Sequence, residues 1–502
     1  MNASNTSILP EGNVWPAKST SSSLAPTRLL VMSNRAPIRI VREDGHDRIV
    51  PTVGGVGTTF LSLLERHGGL WIAWSGTQAR KSRVTIPLQK GARLELVFQH
   101  LSERDMASYY YGMCNHALWP LMHYMTLNTR FDRTDWDSYC RVNLSFARTA
   151  LAEASRYDVA WVQDFHLALV PRLLRERSPE LPVGMFWHVP WPPEQIFRVL
   201  PWRRDFLAGM LGSDLVGFHT KMYQKHFLDC CERILGLEVD RDKGAINHDS
   251  RITYARVFPL GIPAQHFHEL ATSPLVRARA RRIRKSLHSP IMLLGVDRLD
   301  YTKGIIERLL AFERFLELYP QYRKQITFVL IAVPSRIKIA EYAGLKRQLD
   351  EVVGRVVGRF SSQGWAPIKY LYTQFETEEL VAYYEAADIA LVTPLRDGMN
   401  LIAKEFVASQ LNDSAVLILS EFAGAAEELE EALMVNPYDL DDIATRLKQA
   451  IEMPVGEKQQ RLCSLRERVN HNDLERWSES FLTTLLTEAR TPPDAGIVTS
   501  SN

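Results

Sequence analysis

The sequence predicts an α/β protein of two doubly wound, Rossmann-like domains, and three observations carry that expectation. Near-continuous apolar runs of strand length alternate with amphipathic helical patterns, the runs fall into two series, and a polar, Arg-rich stretch separates the series. A strand that is apolar on both faces belongs inside a parallel sheet covered by helices on each side. A chain of 502 residues that is 46% apolar has enough material for two such cores.

The first series reads "RLLVMS", "DVAWVQD", "VGMFWHV" and "LVGFH"; the second reads "IMLLGVD", "ITFVLIAV", "IALVTP" and "AVLILS". The domains are expected at residues 27–262 and 263–470. Residues 1–26, rich in Ser, Asn and Pro, and residues 490–502 read as disordered tails. The Arg-rich stretch "VRARARRIRKSLHSP" is the solvated face of a helix on this reading. The formal net charge of only +2 supplies no field to draw nucleic acid or an anionic membrane.

The five cysteines (Cys114, Cys140, Cys230, Cys231 and Cys463) show no CxxC spacing and are odd in number. They are expected to be buried thiols of a reducing compartment rather than zinc ligands. No apolar run is long enough to cross a bilayer and no secretory leader opens the sequence, so a cytoplasmic location is expected. The composition leaves homo-oligomer formation open.

Ligands of open parallel sheets bind beyond the carboxyl ends of the strands, so the residues just after each apolar run are the candidates. Ser33, Asn34 and Arg35 follow the first run, and a glycine cluster, Gly54, Gly55 and Gly57 in "VGGVGTTF", comes next. Its spacing is not G-x-G-x-x-G, so no dinucleotide fingerprint is present. Asp164 and His166 follow the second run and His188 the third. A lone histidine is more often a satisfied structural residue than a catalytic one. The aromatic run "SYYYGMCNHALWPLMHY" either packs in a core or walls a sugar pocket.

In the second series, "LLGVDRLDYTKGI" sets Arg298 and Lys303 beside a glycine and a helix start. That is a seat for a diphosphate, where each charge-assisted hydrogen bond is worth about 1.5–3 kcal/mol. "LIAVPSR" places Arg336 after the next strand, and "TPLRDGMNLIAKEF" places Arg396, Asp397, Gly398, Met399 and Asn400 at a strand-to-helix junction. Amides at a helix start carry partial positive charge and point outward. An ordinary turn with a good N-cap explains the same residues. No G-x-S-x-G, H-E-x-x-H or P-loop lysine motif occurs, and the D-x-D at Asp439–Asp441 sits where helix capping accounts for it. Neither a metal nor a cofactor is expected.

Taken together, "SNRAP", "GGLWIAWSG", "YYYGMCNHALWP", "VQDFHLALVP", "WHVPWPPEQIF", "DRLDYTKGI", "VPSR", "LVTPLRDGMNLIAKEF" and "SEFAGAAEEL" resemble, in order and spacing, the trehalose-6-phosphate synthases over residues 28–488. The resemblance implies a GT-B glycosyltransferase: two Rossmann-like domains facing a cleft, with the last helix, at 471–489, crossing back to the first domain. It implies transfer of glucose, with retention, from a nucleoside diphosphate glucose, most often UDP-glucose, to glucose 6-phosphate. By the same resemblance Arg35, Tyr110 and Arg336 hold the acceptor phosphate, and Trp74, Trp119 and Asp164 line the acceptor pocket. His188 bonds the donor glucose, and Arg298 and Lys303 clamp the diphosphate. Asp397 contacts donor sugar hydroxyls, Gly398, Met399, Asn400 and Leu401 present amides, Glu405 bonds the ribose, and Gly54 and Gly55 belong to the donor loop. The sequence departs from the common pattern at Gly54–Gly57 (Gly-Gly-Val-Gly for Gly-Gly-Leu), Gln163 (for His) and Trp191 (for Phe). Two other readings are a glucosylglycerol-phosphate synthase, which takes glycerol 3-phosphate, and a catalytically silent sugar-phosphate-binding homologue. A hydrolase with paired carboxylates is a third.

Overall fold

The computed structural model describes residues 27–36, 38–43, 46–51, 64, 67–74, 82–87, 93–336 and 340–490. Residues 1–26 and 491–502, and the glycines at 54, 55 and 57, lie outside the described residues. The chain divides into two units, one formed by Met1–Phe258 with Ser478–Asn502 and the other by Pro259–Trp477.

The first unit contains β1 (Leu29–Arg35), β2 (Ile38–Glu43), β3 (His46–Pro51), β4 (Gly69–Trp74), β5 (Arg83–Pro87), β6 (Arg93–Gln99), β7 (Val159–Gln163), β8 (Val183–Phe186), β9 (Leu215–Phe218), β10 (Glu238–Asp240), β11 (Ala245–His248) and β12 (Arg251–Val257). Ten of them form one sheet in the order β10-β11-β12-β9-β8-β7-β1-β4-β6-β5, while β2 and β3 pair separately. From β12 to β6 every pairing is parallel. The four runs expected to be strands are β1, β7, β8 and β9, and all but the last residue of β1 are buried. Those not expected include β6 and β12, where buried and half-buried residues alternate, so the apolar signal is halved.

The last described helix, Leu474–Glu488, begins in the second unit and ends in the first. Its Phe481, fully buried, lies flat on Trp161 with ring centroids 4.4 Å apart and packs edge-on against Phe186 and Phe258. Glycines make that contact fit: a Cβ at Gly184 or at Gly217 would come within 2.8 Å of the Phe481 ring.

The second unit holds β13 (Ile291–Arg298), β14 (Ile326–Val333), β15 (Ile368–Leu371), β16 (Ile389–Val392), β17 (Val416–Ser420) and β18 (Leu433–Val435). They form one wholly parallel sheet in the order β15-β14-β13-β16-β17-β18. Counted from its first strand this is 3-2-1-4-5-6, the Rossmann order, and β1, β4, β6, β7, β8 and β9 repeat it in the first unit. The Arg-rich stretch is a helix, Pro274–Lys285, that buries Val276, Ala280 and Ile283 at i, i+4 and i+7 and leaves Arg277, Arg281 and Arg282 exposed. Asp439 caps the helix Leu440–Glu452 by accepting from Asp442 N at 2.9 Å.

All five cysteines are free thiols; Cys114, Cys230 and Cys231 are buried as expected, Cys140 is half-buried, and the expectation fails outright at Cys463, which is exposed. It follows Leu462 on a helix whose buried stripe is Leu462, Leu465 and Val469, and one residue around a helix turns a side chain by about 100° out of that stripe. Among the described residues no helix is long and apolar enough to cross a membrane.

Replacing Phe481 by Ala removes a buried ring whose partners cannot close over the gap, which costs about 3–5 kcal/mol. The melting temperature of the variant is expected to fall by about 3 °C or more; a transition within a degree of the wild type would contradict this role for the helix.

Candidate active site

In each unit the chain first builds outward on one side of its first strand, then returns to that strand and builds outward on the other. Loops leaving the two central strands therefore diverge, and a crevice opens at their carboxyl ends. In the second unit these strands are β13, which ends in Arg298, and β16, which is followed by Thr393–Asn400. In the first unit they are β1, which ends in Arg35, and β7, which is followed by Asp164. Arg35, Asp164, Arg298 and Asp397 thus stand at the switch points, while Trp74, His188 and Arg336 lie at the ends of β4, β8 and β14 beside them.

In the second unit, Lys303 Nζ donates to Asp397 Oδ2 at 2.5 Å, and both side chains are nearly buried. Asn400 Nδ2 donates to the same oxygen at 3.0 Å. The two residues to which the sequence assigned separate tasks are therefore one pair, with the carboxylate held from two sides. Asp300, fully buried, accepts from Arg336 Nη1 at 2.8 Å and from Tyr342 OH at 3.0 Å through Oδ2, and from Thr302 N and Oγ1 through Oδ1. Burial pushes the Asp300 carboxyl up, but Arg336, Arg298 and Lys303 pull it down further and hold it at about 2. The Thr302 carbonyl accepts from Leu395 N and Arg396 N, at 2.9 and 3.3 Å, which ties the loop after β13 to the loop after β16.

Beneath them Arg308, fully buried, donates to Asp297 Oδ2 at 2.7 Å, to Thr393 Oγ1 at 3.1 Å and to the Lys303 carbonyl at 3.2 Å. Asn400 adopts φ 76° and caps the helix Leu401–Ser409, accepting from Ala403 N. Apart from the capped Ala403 N, the amides of the first helical turn have no partners within the helix and point outward from its start. A second loop lies so close that a Cβ at Gly424 would come 2.0 Å from the Gly398 carbonyl, while Ala425 N donates to Met399 O at 2.8 Å. One turn into the helix, Glu405 accepts from the buried Tyr384 OH at 2.8 Å. Burial pushes its carboxyl up to about 7 despite that hydrogen bond.

In the first unit the backbone is wound in a wide π-helical run over Met106–Leu118, which brings both Tyr109 and Tyr110 to the end of β1. Tyr109 OH donates to Asn34 Oδ1 at 2.9 Å. Arg35 Nη2 donates to Tyr110 OH at 3.1 Å, and its guanidinium lies 5.3 Å from the ring centroids of both Trp74 and Tyr110. Trp71 Nε1 donates to Ser33 Oγ, which donates to the Arg35 carbonyl across a register shift that ends the strand. Trp119 is only 6% exposed and packs on His123 and Phe165, so at most an edge of it can meet a ligand.

Asp164 adopts φ 68° and ψ 170°, a region nearly reserved for glycine that costs another residue about 1–3 kcal/mol. It is held there because its N–H donates to Phe186 O at 2.7 Å and its Oδ1 accepts from His188 N at 3.2 Å. His166 Nδ1 lies 3.8 Å from Asp164 Oδ2. Burial, and then the neighbouring His219, push the His188 imidazole well below its ordinary pKa, so it is neutral. Its Nε2 stands 2.8 Å from Gln163 Oε1.

Sequence reasoning missed Asp300, Arg308, Tyr384 and Gly424. Asp300 had one signal, a carboxylate between two cations in "RLDYTK"; Tyr384 and Gly424 act through partners more than twenty residues away, and Arg308 joins Asp297 and Lys303 nearby to Thr393, 85 residues on. Among the described residues no cluster of His, Cys, Asp and Glu is arranged to hold a metal ion.

Glu405 titrates near 7 in the fold against about 4.5 in a solvated chain. The stability this gives is fully present below about 4.5 and is lost as pH rises through about 7. Glu405→Gln stays neutral throughout, so its stability relative to the wild type is expected to improve between pH 5 and pH 8 by on the order of 1–3 kcal/mol. A difference in melting temperature that does not change with pH would refute the shift.

Residues 27–487 match glycosyltransferase family 20. The bifunctional trehalose-6-phosphate synthase/phosphatase of Thermoproteus tenax is 40% identical over 471 residues, 91% of this chain, and the chain spans 63% of that protein's length. Among solved structures, an alpha,alpha-trehalose-phosphate synthase (UDP-forming) from Burkholderia xenovorans in complex with glucose-6-phosphate superposes with a TM-score of 0.83 at 34% identity, covering 91% of this chain and 100% of that one. An E. coli structure bound with UDP-2-fluoro glucose gives 0.84 at 34% identity, covering 93% and 99%. With two Rossmann-ordered sheets, candidate residues at both switch points and a family match over nearly all of its described length, the chain belongs to glycosyltransferase family 20.

Proposed function

We propose that this chain transfers glucose from UDP-glucose to glucose 6-phosphate with retention, giving trehalose 6-phosphate and UDP. The observation that carries the reading is the second unit's set of Arg298, Asp300, Lys303 and Asp397 at the crevice between β13 and β16. A diphosphate leaving group needs fixed positive charge that is already in place when its own charge develops. The relatives named as UDP-forming synthases, and the neighbours solved with glucose-6-phosphate and with UDP-2-fluoro glucose, support the same substrates.

On this reading Arg298 and Lys303 neutralise the diphosphate, and the amides from Gly398 through Leu401 add the partial charge of a helix start. Asp397, fixed by Lys303 and Asn400, accepts from donor sugar hydroxyls. Glu405, near its midpoint at neutral pH, either accepts from or donates to the ribose hydroxyls. The neutral His188 bonds the donor glucose, and Gly54 and Gly55 belong to the donor loop. Arg35, Tyr110 and Arg336 bind the acceptor phosphate, with Trp74, Trp119 and Asp164 around the sugar. In the transfer the bond from the anomeric carbon to the diphosphate oxygen breaks while the acceptor oxygen bonds the same face of that carbon. The acceptor's hydroxyl proton passes to the departing phosphate oxygen, so no enzymic nucleophile is required.

Incubation with UDP-, GDP- or ADP-glucose and either glucose 6-phosphate or glycerol 3-phosphate tests the assignment. Trehalose 6-phosphate from UDP-glucose is the expected product; exclusive use of glycerol 3-phosphate, or no transfer, overturns it. Arg298→Ala and Lys303→Ala are each expected to lower turnover by roughly 10² or more, and near-normal turnover in either removes that residue from the clamp.

A further inference from the structure

We propose that Asp300 is a positioning residue that sets both the Arg336 guanidinium and the Thr302–Lys303 turn, so that one buried carboxylate aligns the acceptor-side and donor-side cations of the second unit. The inference rests on the reading above, in which Arg336 meets the acceptor phosphate and Lys303 the diphosphate.

Each oxygen of Asp300 has its own task. Oδ2 accepts from Arg336 Nη1 at 2.8 Å and from Tyr342 OH at 3.0 Å; Oδ1 accepts from Thr302 N at 3.1 Å and Thr302 Oγ1 at 3.0 Å. A guanidinium is a rigid planar fork, so anchoring Nη1 fixes the direction of its other donors. Tyr342 adds a second constraint, since its hydroxyl also bonds Arg336 and its ring centroid lies 5.5 Å from that guanidinium. Arg336 itself sits at φ 46°, a backbone conformation that is retained only where the surroundings enforce it.

On the other side the Asp300 carbonyl accepts from Lys303 N at 3.0 Å, and the Thr302 carbonyl takes the Leu395 and Arg396 amides next to Asp397. The turn that Asp300 organises therefore also registers the loop that carries the sugar-binding carboxylate. A buried carboxylate with a purely structural task needs donors, but it has no need for cations assigned to ligands. Arg336, Arg298 and Lys303 all bear on this one.

The test compares full-length Asp300→Asn and Tyr342→Phe with the wild type in steady-state transfer, together with calorimetric binding of UDP, which needs no acceptor. Asp300→Asn is expected to raise the KM for glucose 6-phosphate about tenfold or more and to weaken UDP binding at least about threefold. Tyr342→Phe, which touches only the Oδ2 side, should raise the KM for glucose 6-phosphate about threefold and leave UDP affinity unchanged. An Asp300→Asn protein that melts earlier but keeps wild-type KM and UDP affinity has lost only stability and overturns the proposal. If that variant fails to fold, wild-type KM values in Tyr342→Phe overturn it. A wild-type chain that binds UDP but transfers nothing to glucose 6-phosphate would sink the functional reading instead, and the UDP affinity of Asp300→Asn would still decide the donor half.

Discussion

The polarity of a parallel sheet is the constraint on which the site depends. A strand covered on both faces must be apolar along its length, so the first residue that can carry charge to a ligand is the one at which the sheet ends. β1 and β13 obey this in the same way, each with six consecutive buried residues followed by an exposed arginine, Arg35 in one and Arg298 in the other. Because all central strands point the same way, every such end lies on one edge of its sheet. The return of the chain to the first strand then decides where on that edge the loops part.

Placing cations there has a cost that the structure offsets locally. Lys303 is paired with Asp397, Arg336 with Asp300 and Arg308 with Asp297. Buried ion pairs are poor sources of stability, because desolvation consumes most of the attraction, while removal of one partner costs about 3–5 kcal/mol. At Asp297, burial outweighs even Arg308 and Lys303 and raises the carboxyl pKa. Stability therefore does not explain these pairs. Direction does: Arg308 spends its donors on Asp297, Thr393 and the Lys303 carbonyl, which are the positions from which both site loops depart.

The sequence made visible what depends on neighbouring residues. Eight apolar runs are eight strands, the Arg-rich stretch is a helix with its charges outward, and Arg35, Asp164, Arg298 and Asp397 fall at the ends of central strands. Strands with alternating burial such as β12, and short ones such as β15, left too few apolar residues to be distinguished from loop. The connections within the site were harder still. Asp300 finds Arg336 and Tyr342 at separations of 36 and 42 residues, and Lys303 finds Asp397 at 94. A carboxylate in a loop looks solvated in one dimension; only the folded arrangement shows that its surroundings are dry and its partners cationic.

In the segment "TPLRDGMN" the structure shows the capped turn that one sequence reading expects, and the proposed ligand role falls on other residues. Arg396 lies over the Phe422 ring at 5.0 Å, Met399 is buried, and Asn400 takes a positive φ to cap its helix, so these three make the turn. On the helix that follows, Lys404 is directed into the interior, where it donates to Leu260 O and pairs with Glu428. The groups that the proposed transfer uses are the others: the Asp397 carboxylate, the amides at the helix start and, one turn on, Glu405. A turn built this firmly is what lets so few groups serve chemistry. Donors that are already oriented need no reorganisation when charge develops on a leaving group, and it is the structural residues of the segment that hold them so.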